Sequence, residues 1–215
     1  MNSFIDIYCE RTQAGLWDEP LNALSNAAFI IAAVAALVLA RRYKALNAQT
    51  VLLIALLAII GIGSTLFHTF ANTWSKFADV LPIVIFQISF IIIYARSVMR
   101  LGGVKSAGLV ALFFAGSVAA GMMPYDWLNG SIGYAPALLF LIGFGLYHKR
   151  AHKNEPAIYL IAAALFALSL SFRSVDNAVC DALPIGVHYM WHILNGAVLY
   201  LSIRGVIVNT GTKPS

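Results

Sequence analysis

The chain reads as long apolar stretches separated by short clusters of charge. No Lys, Arg, Asp or Glu interrupts Leu21–Ala40, Ala45–Ser75, Val80–Ala95, Ser106–Tyr125, Leu128–His148, Pro156–Phe172 or Ala182–Ile203. A helix needs roughly 20 predominantly apolar residues to cross a bilayer. Trimmed to that length, the stretches predict seven membrane helices over residues 21–40, 50–70, 79–98, 106–123, 131–148, 156–173 and 186–207. Each is apolar all round, because backbone groups in hydrocarbon must bond within their own helix and the side chains face lipid or other helices. The expected fold is all-α: one integral membrane domain of seven helices over residues 1–215, with no room for a separate soluble domain.

Composition agrees and excludes a soluble fold. Of 215 residues, 60% are hydrophobic and 11% charged, with mean hydropathy +0.82, against about 25% charged in ordinary soluble domains. Residues 1–20 carry Asp6, Glu10, Asp18 and Glu19, opposite in sign to a secretory leader. The polar tail Thr210–Ser215 is expected to be disordered.

Charge orients the bundle. Alternating the connections places Arg41, Arg42, Lys44, Arg96, Arg100, Lys105, Lys149, Arg150, Lys153, Arg204 and Lys213 on one side, eleven of fourteen cations, leaving Arg11, Lys76 and Arg173 on the other. By the positive-inside rule the eleven are cytoplasmic, so the N-terminus is expected outside and the C-terminus inside. The net charge of +5 then reflects topology, and no nucleic acid need be invoked. Eight of nine acids (Asp6, Glu10, Asp18, Glu19, Asp79, Asp126, Asp176 and Asp181) fall at the outer end, with Glu155 inside. They either avoid the basic face or form a metal-attracting mouth. Cys9 and Cys180 also lie outside, where two thiols can pair or remain separate.

Ionisable residues within spans point to function. Ser64 and His68 stand four apart near the end of the second span, Asp79 opens the third, and His188 and His192 stand four apart at the start of the seventh. Spacing of i, i+4 puts each pair on one helical face, and the topology puts all of them at one depth. Three imidazoles and a carboxylate there suit a catalytic zinc with an open position for water. His148 and His152 share the spacing, but in His148-Lys149-Arg150-Ala151-His152-Lys153. Three adjacent cations repel a metal, and the stretch is expected to be solvated at the headgroups.

At these residues the chain resembles a known family. Gly61-Ile62-Gly63-Ser64-Thr65-Leu66-Phe67-His68, Asp79-Val80-Leu81-Pro82 and His188-Tyr189-Met190-Trp191-His192 resemble the motif set of the alkaline ceramidases, within a wider superfamily of seven-helix membrane hydrolases that includes the adiponectin receptors. Tyr8-Cys9-Glu10, Glu19-Pro20-Leu21-Asn22-Ala23-Leu24-Ser25-Asn26, and Asp176-Asn177 with Cys180 are similar to that family's opening and last outer loop. The resemblance implies zinc held by His68, His188 and His192, catalytic roles for Ser64 and Asp79, and a disulfide between Cys9 and Cys180. It also implies calcium at the acidic N-terminal segment through Glu10 and Glu19, with Asp6 as a stand-in, because Ile7 and Thr12 occupy positions where animal members have Asp and Asn.

The implied activity is zinc-dependent hydrolysis of ceramide, or a related N-acyl amino lipid, to a fatty acid and a sphingoid base. Asp79 would act as proton relay or orient a histidine. Ser64 would donate to the oxyanion or pack between helices. Trp17, Trp74, Trp127 and Tyr125 form an interfacial belt or a headgroup pocket. A receptor or transporter using the same histidines as a structural metal site is the alternative. No obligatory protein partner is implied. The compact chain is expected in a bacterial inner membrane, with its site towards the outer side.

Overall fold

The computed structural model describes residues 3–124 and 127–212. Tyr125 and Asp126, placed above at the outer boundary, and residues 213–215 of the tail, Lys213 included, lie outside them. The helices are α1 (Pro20–Ser25), α2 (Ala27–Arg42), α3 (Ala48–Phe70), α4 (Thr73–Ile93), α5 (Gly103–Gly121), α6 (Ala135–Arg150), α7 (Ile158–Val175) and α8 (His188–Thr210). Among the described residues seven segments are long and apolar enough to cross a membrane, α1 and α2 together forming the first.

Local chemistry sets the helix ends. Asn47 and Asn72 each cap the helix that follows. Asn47 Oδ1 accepts from Thr50 N at 3.1 Å while Thr50 Oγ1 accepts from Asn47 N at 3.1 Å. Asn72 and Ser75 repeat the exchange at 3.2 and 3.1 Å, which satisfies amides that a helix start leaves open. The cap at Asn72 starts α4 two turns earlier than charge alone predicts, so Asp79 stands inside the helix rather than at its first residue. Ala71, with φ +44°, turns the chain between α3 and α4, and the two helices pack as a hairpin.

That hairpin has one very close point. A Cβ on Gly63 would fall on the carbonyl oxygen of Ala78. Pro82 lies inside α4 and has no N–H to offer the carbonyl four residues back, which is that of Ala78. Glycine on α3 and proline on α4 therefore bring the helix of Ser64 and His68 against the turn of Asp79.

The core runs between α2, α3, α4, α7 and α8 through Phe29, Leu57, Phe90, Tyr159, Phe166 and Ile203. α8 is the most enclosed of the spans and α5 the least. Ile31, Leu112, Val118 and Leu139 are exposed, as lipid-facing positions should be.

Two expectations are corrected at the basic end. His148 is not solvated: it is fully buried. Its Nε2 bonds the Asn154 carbonyl at 2.9 Å and its Nδ1 meets the Tyr94 hydroxyl at 2.8 Å. A carbonyl only accepts, so Nε2 carries the proton and Nδ1 accepts from Tyr94. A π turn at Tyr94–Val98 extends α4 and seats that tyrosine. Lys149, Arg150 and His152 keep the expected exposure. The tail is also more regular than its composition implies: α8 runs to Thr210, and Thr212 N bonds the Tyr43 carbonyl at 2.8 Å.

Candidate metal centre

His68 comes from the last turn of α3, and His188 and His192 from the first two turns of α8. All three are buried, with at most 2% of their surface exposed. Each offers a ligand atom within 4.8 Å of the others, and among the described residues this is the one such group of His, Cys, Asp or Glu.

The start of α8 is held by acid, glycine and sulfur. Asp176 Oδ1 accepts from Val187 N at 2.7 Å and His188 N at 2.9 Å, capping the helix amides. Asp176 Oδ2 accepts from Cys9 N at 3.0 Å. Cys9 and Cys180 form a disulfide. Gly186 has φ +62°, and a Cβ there would strike both the Asp176 carboxylate and Cys9. Glycine alone meets both constraints.

The outward nitrogens of two histidines are engaged. His68 Nδ1 lies 2.5 Å from Glu19 Oε2. Burial acts to raise the pKa of Glu19, but hydrogen bonds from His68, Arg11 and Asn22 outweigh it and hold the carboxyl below its ordinary range. Glu19 is thus a carboxylate and accepts the Nδ1 proton. His192 Nδ1 lies 2.7 Å from Ser25 Oγ, whose own proton is given to the Asn22 carbonyl at 2.8 Å. Ser25 therefore accepts, and His192 is also protonated on Nδ1. The Nε2 atoms of the two rings face one another at 3.1 Å. His188 stacks on Tyr8 with ring centroids 3.6 Å apart, and its buried Nδ1 has no hydrogen-bond partner.

Three buried imidazoles that bring ligand atoms within 4.8 Å of one another fit a cation. Three buried imidazoles, two with their second nitrogen held by a carboxylate or hydroxyl, match the donor set and supporting shell that an imidazole-ligated metal needs.

Ser64, one turn before His68, is buried. Its hydroxyl faces the Asp79 carboxylate, which also lies in the field of His68. The structure thus gathers the three histidines, Ser64 and Asp79 into one site.

The acids assigned to calcium do not join in that way. Glu19 commits both oxygens, to Arg11 at 2.5 Å and to His68 and Asn22 at 2.5 and 3.0 Å. Glu10 accepts from Leu21 N at 2.7 Å and Asn22 N at 2.8 Å, capping α1, and Asp6 is exposed. A calcium ion needs 6–8 oxygens with free lone pairs, and these residues do not fit one.

An apolar cavity of about 80 Å³ lies in the bundle beside the histidines, walled by Phe29, Phe86, Phe113, Leu141 and Trp191, with Asn195 among its few polar neighbours. Phe29 touches the His192 ring with centroids 6.3 Å apart. Arg173, one of the three cations that the sequence places on the outer side, is buried. It donates to the Asn129 carbonyl at 2.6 Å and Ser131 Oγ at 2.9 Å, and lies over Trp191 at 5.7 Å.

Ser25, Arg11, Tyr8, the capping role of Asp176 and the contact of Glu19 with His68 escape the sequence reading. A polar residue at the end of a short helix, such as Ser25 in α1, reads as an ordinary helix end. Only its contact with residue 192 reveals more.

Fold and site define an integral multi-pass membrane protein with a buried three-histidine site able to hold a metal ion. The family model described as Ceramidase matches residues 8–213, nearly the whole chain. The chain belongs to the ceramidase family, whose members are hydrolases of amide bonds with lipid substrates such as ceramide. No curated protein matches it.

Proposed function

We propose that this protein is a zinc-dependent intramembrane amidase that hydrolyses ceramide or a related N-acyl lipid to a fatty acid and an amino-alcohol base. The observation that carries the reading is the approach of the His68 and His192 Nε2 atoms to 3.1 Å in a buried three-histidine group, with both Nδ1 atoms held by Glu19 and Ser25. His68, His188 and His192 would be the ligands, and imidazole donors suit zinc among the common divalent ions. Zinc bound there would supply Lewis acidity and a water made acidic enough to attack near neutral pH.

The protein's own groups supply the rest. Asp79 takes the proton of the attacking water and delivers it to the departing amine, so that C–N breaks as C–O forms and the acid and amine leave balanced. Ser64 donates to the carbonyl oxygen as charge develops on it. The apolar cavity accepts alkyl chain entering sideways from lipid, which leaves the amide at the depth of the histidines. By the positive-inside rule the site faces the outer side of the membrane, with the N-terminus outside. A bacterial inner membrane is the setting we propose.

The test is purified protein in detergent with a fluorescent ceramide. Release of labelled fatty acid is expected, with loss on chelation, recovery with zinc, and loss in His68→Ala, His188→Ala and His192→Ala. Stoichiometric zinc with no acyl release from a panel of N-acyl lipids would overturn the activity. A C-terminal reporter active outside the cell would overturn the orientation.

A further inference from the structure

Arg11 is a cation with none of its side chain exposed, in a segment otherwise rich in acid. Its guanidinium makes three kinds of contact. Nε donates to Glu19 Oε1 at 2.5 Å, Nη1 to the Gly15 carbonyl at 3.1 Å, and Nη2 to the His68 carbonyl at 2.9 Å. The Phe4 ring lies against it, 5.6 Å away.

The bond to His68 has a physical reason. His68 is in the last turn of α3, where carbonyls lack intrahelical donors and the helix dipole is negative. The amide four residues on, Asn72 N, is turned to Ser75 Oγ at 3.1 Å instead, and Arg11 fills its place. One rigid planar fork thus holds His68 twice: by its carbonyl directly, and by its ring through Glu19, whose Oε2 meets Nδ1 at 2.5 Å. A lysine, with a point charge and no fork, could not make this set of bonds.

The neighbouring acids are already occupied. Asp18 accepts from Thr12 N at 2.6 Å and Gln13 N at 2.8 Å, and Glu10 caps α1. The acidic segment is therefore closed by its own amides around an internal cation.

We propose that Arg11 is that segment's built-in cation and a positioning residue for the metal centre: it sets His68 through Glu19, and it makes the order of the segment independent of calcium. The inference rests on the zinc reading of the triad given above.

The test uses the full chain in detergent with its disulfide intact, and measures zinc affinity by competition with a graded chelator beside the thermal midpoint of the zinc-free protein. Arg11→Ala and Glu19→Gln are each expected to weaken zinc about 10–100-fold, as loss of a ligand's hydrogen-bonded support does. The double variant should be no weaker than the poorer single, because one acts through the other. A role confined to fold stability would lower the midpoint without that saturation. Arg11→Lys keeps a cation at Glu19 but not the fork, and is expected to fold and still bind zinc several-fold more weakly. Millimolar calcium should leave the wild-type midpoint unchanged.

Zinc bound as tightly by Arg11→Ala and Arg11→Lys as by wild type, losses that multiply in the double variant, or saturable stabilisation by calcium would each overturn the inference while leaving the metal centre intact. Wild type that binds no zinc would remove the metal centre and this inference with it.

Discussion

Ser25 Oγ stands 2.7 Å from Nδ1 of His192, 167 positions away in the chain. Because Ser25 gives its own proton to the Asn22 carbonyl at 2.8 Å, it can only accept from the imidazole. A residue of the broken first span thereby decides which nitrogen of a residue in the last span faces the site.

Ser25→Ala should leave the His192 Nδ1 proton without an acceptor and let the ring change tautomer. Zinc affinity is expected to fall about 10–100-fold, measured by chelator competition, with little change in the zinc-free thermal midpoint. Unchanged zinc affinity would show that the tautomer is set elsewhere.

Ser64→Ala should retain zinc, because Ser64 stands beside the triad rather than in it. If its hydroxyl donates to the oxyanion, kcat should fall roughly 10²–10³-fold with KM for a fluorescent ceramide little altered. A variant with full kcat would reduce Ser64 to a packing residue between α3 and α4.

Gly63→Ala would drive a methyl group onto the Ala78 carbonyl. Overpacking of this kind costs about 1–3 kcal/mol. The thermal midpoint should drop, and activity should drop with it, since separating α3 from α4 moves Asp79 away from Ser64. Gly143→Ala, with nothing within 4 Å of an added Cβ, is the matched control and should behave as wild type.

Much of the site was legible because periodicity carries it. The spacing of His188 and His192, and of Ser64 and His68, places each pair on one helical face whatever surrounds it. The third histidine follows from depth, given the order of the spans. The correction at His148 shows the limit of reading charge along the chain. Its sequence neighbours Lys149 and Arg150 are exposed, but helical geometry turns residue 148 inward, where Tyr94 and Asn154 satisfy it. Glu19 shows the same limit at the other end. The resemblance implies a calcium ligand at Glu19, and only the folded chain shows Arg11 and His68 on its two oxygens.

By itself the sequence determined seven helices, because apolar runs bounded by charge leave the backbone no other way to satisfy its hydrogen bonds in hydrocarbon, and it determined which side chains share a face. Tertiary structure alone decided what those side chains are: which imidazole nitrogen is free, which acid supports a ligand, and which cation stands behind it. Those states depend on contacts of 2.5 to 2.9 Å between residues 8 to 167 positions apart, a range over which the pattern along one chain carries no information.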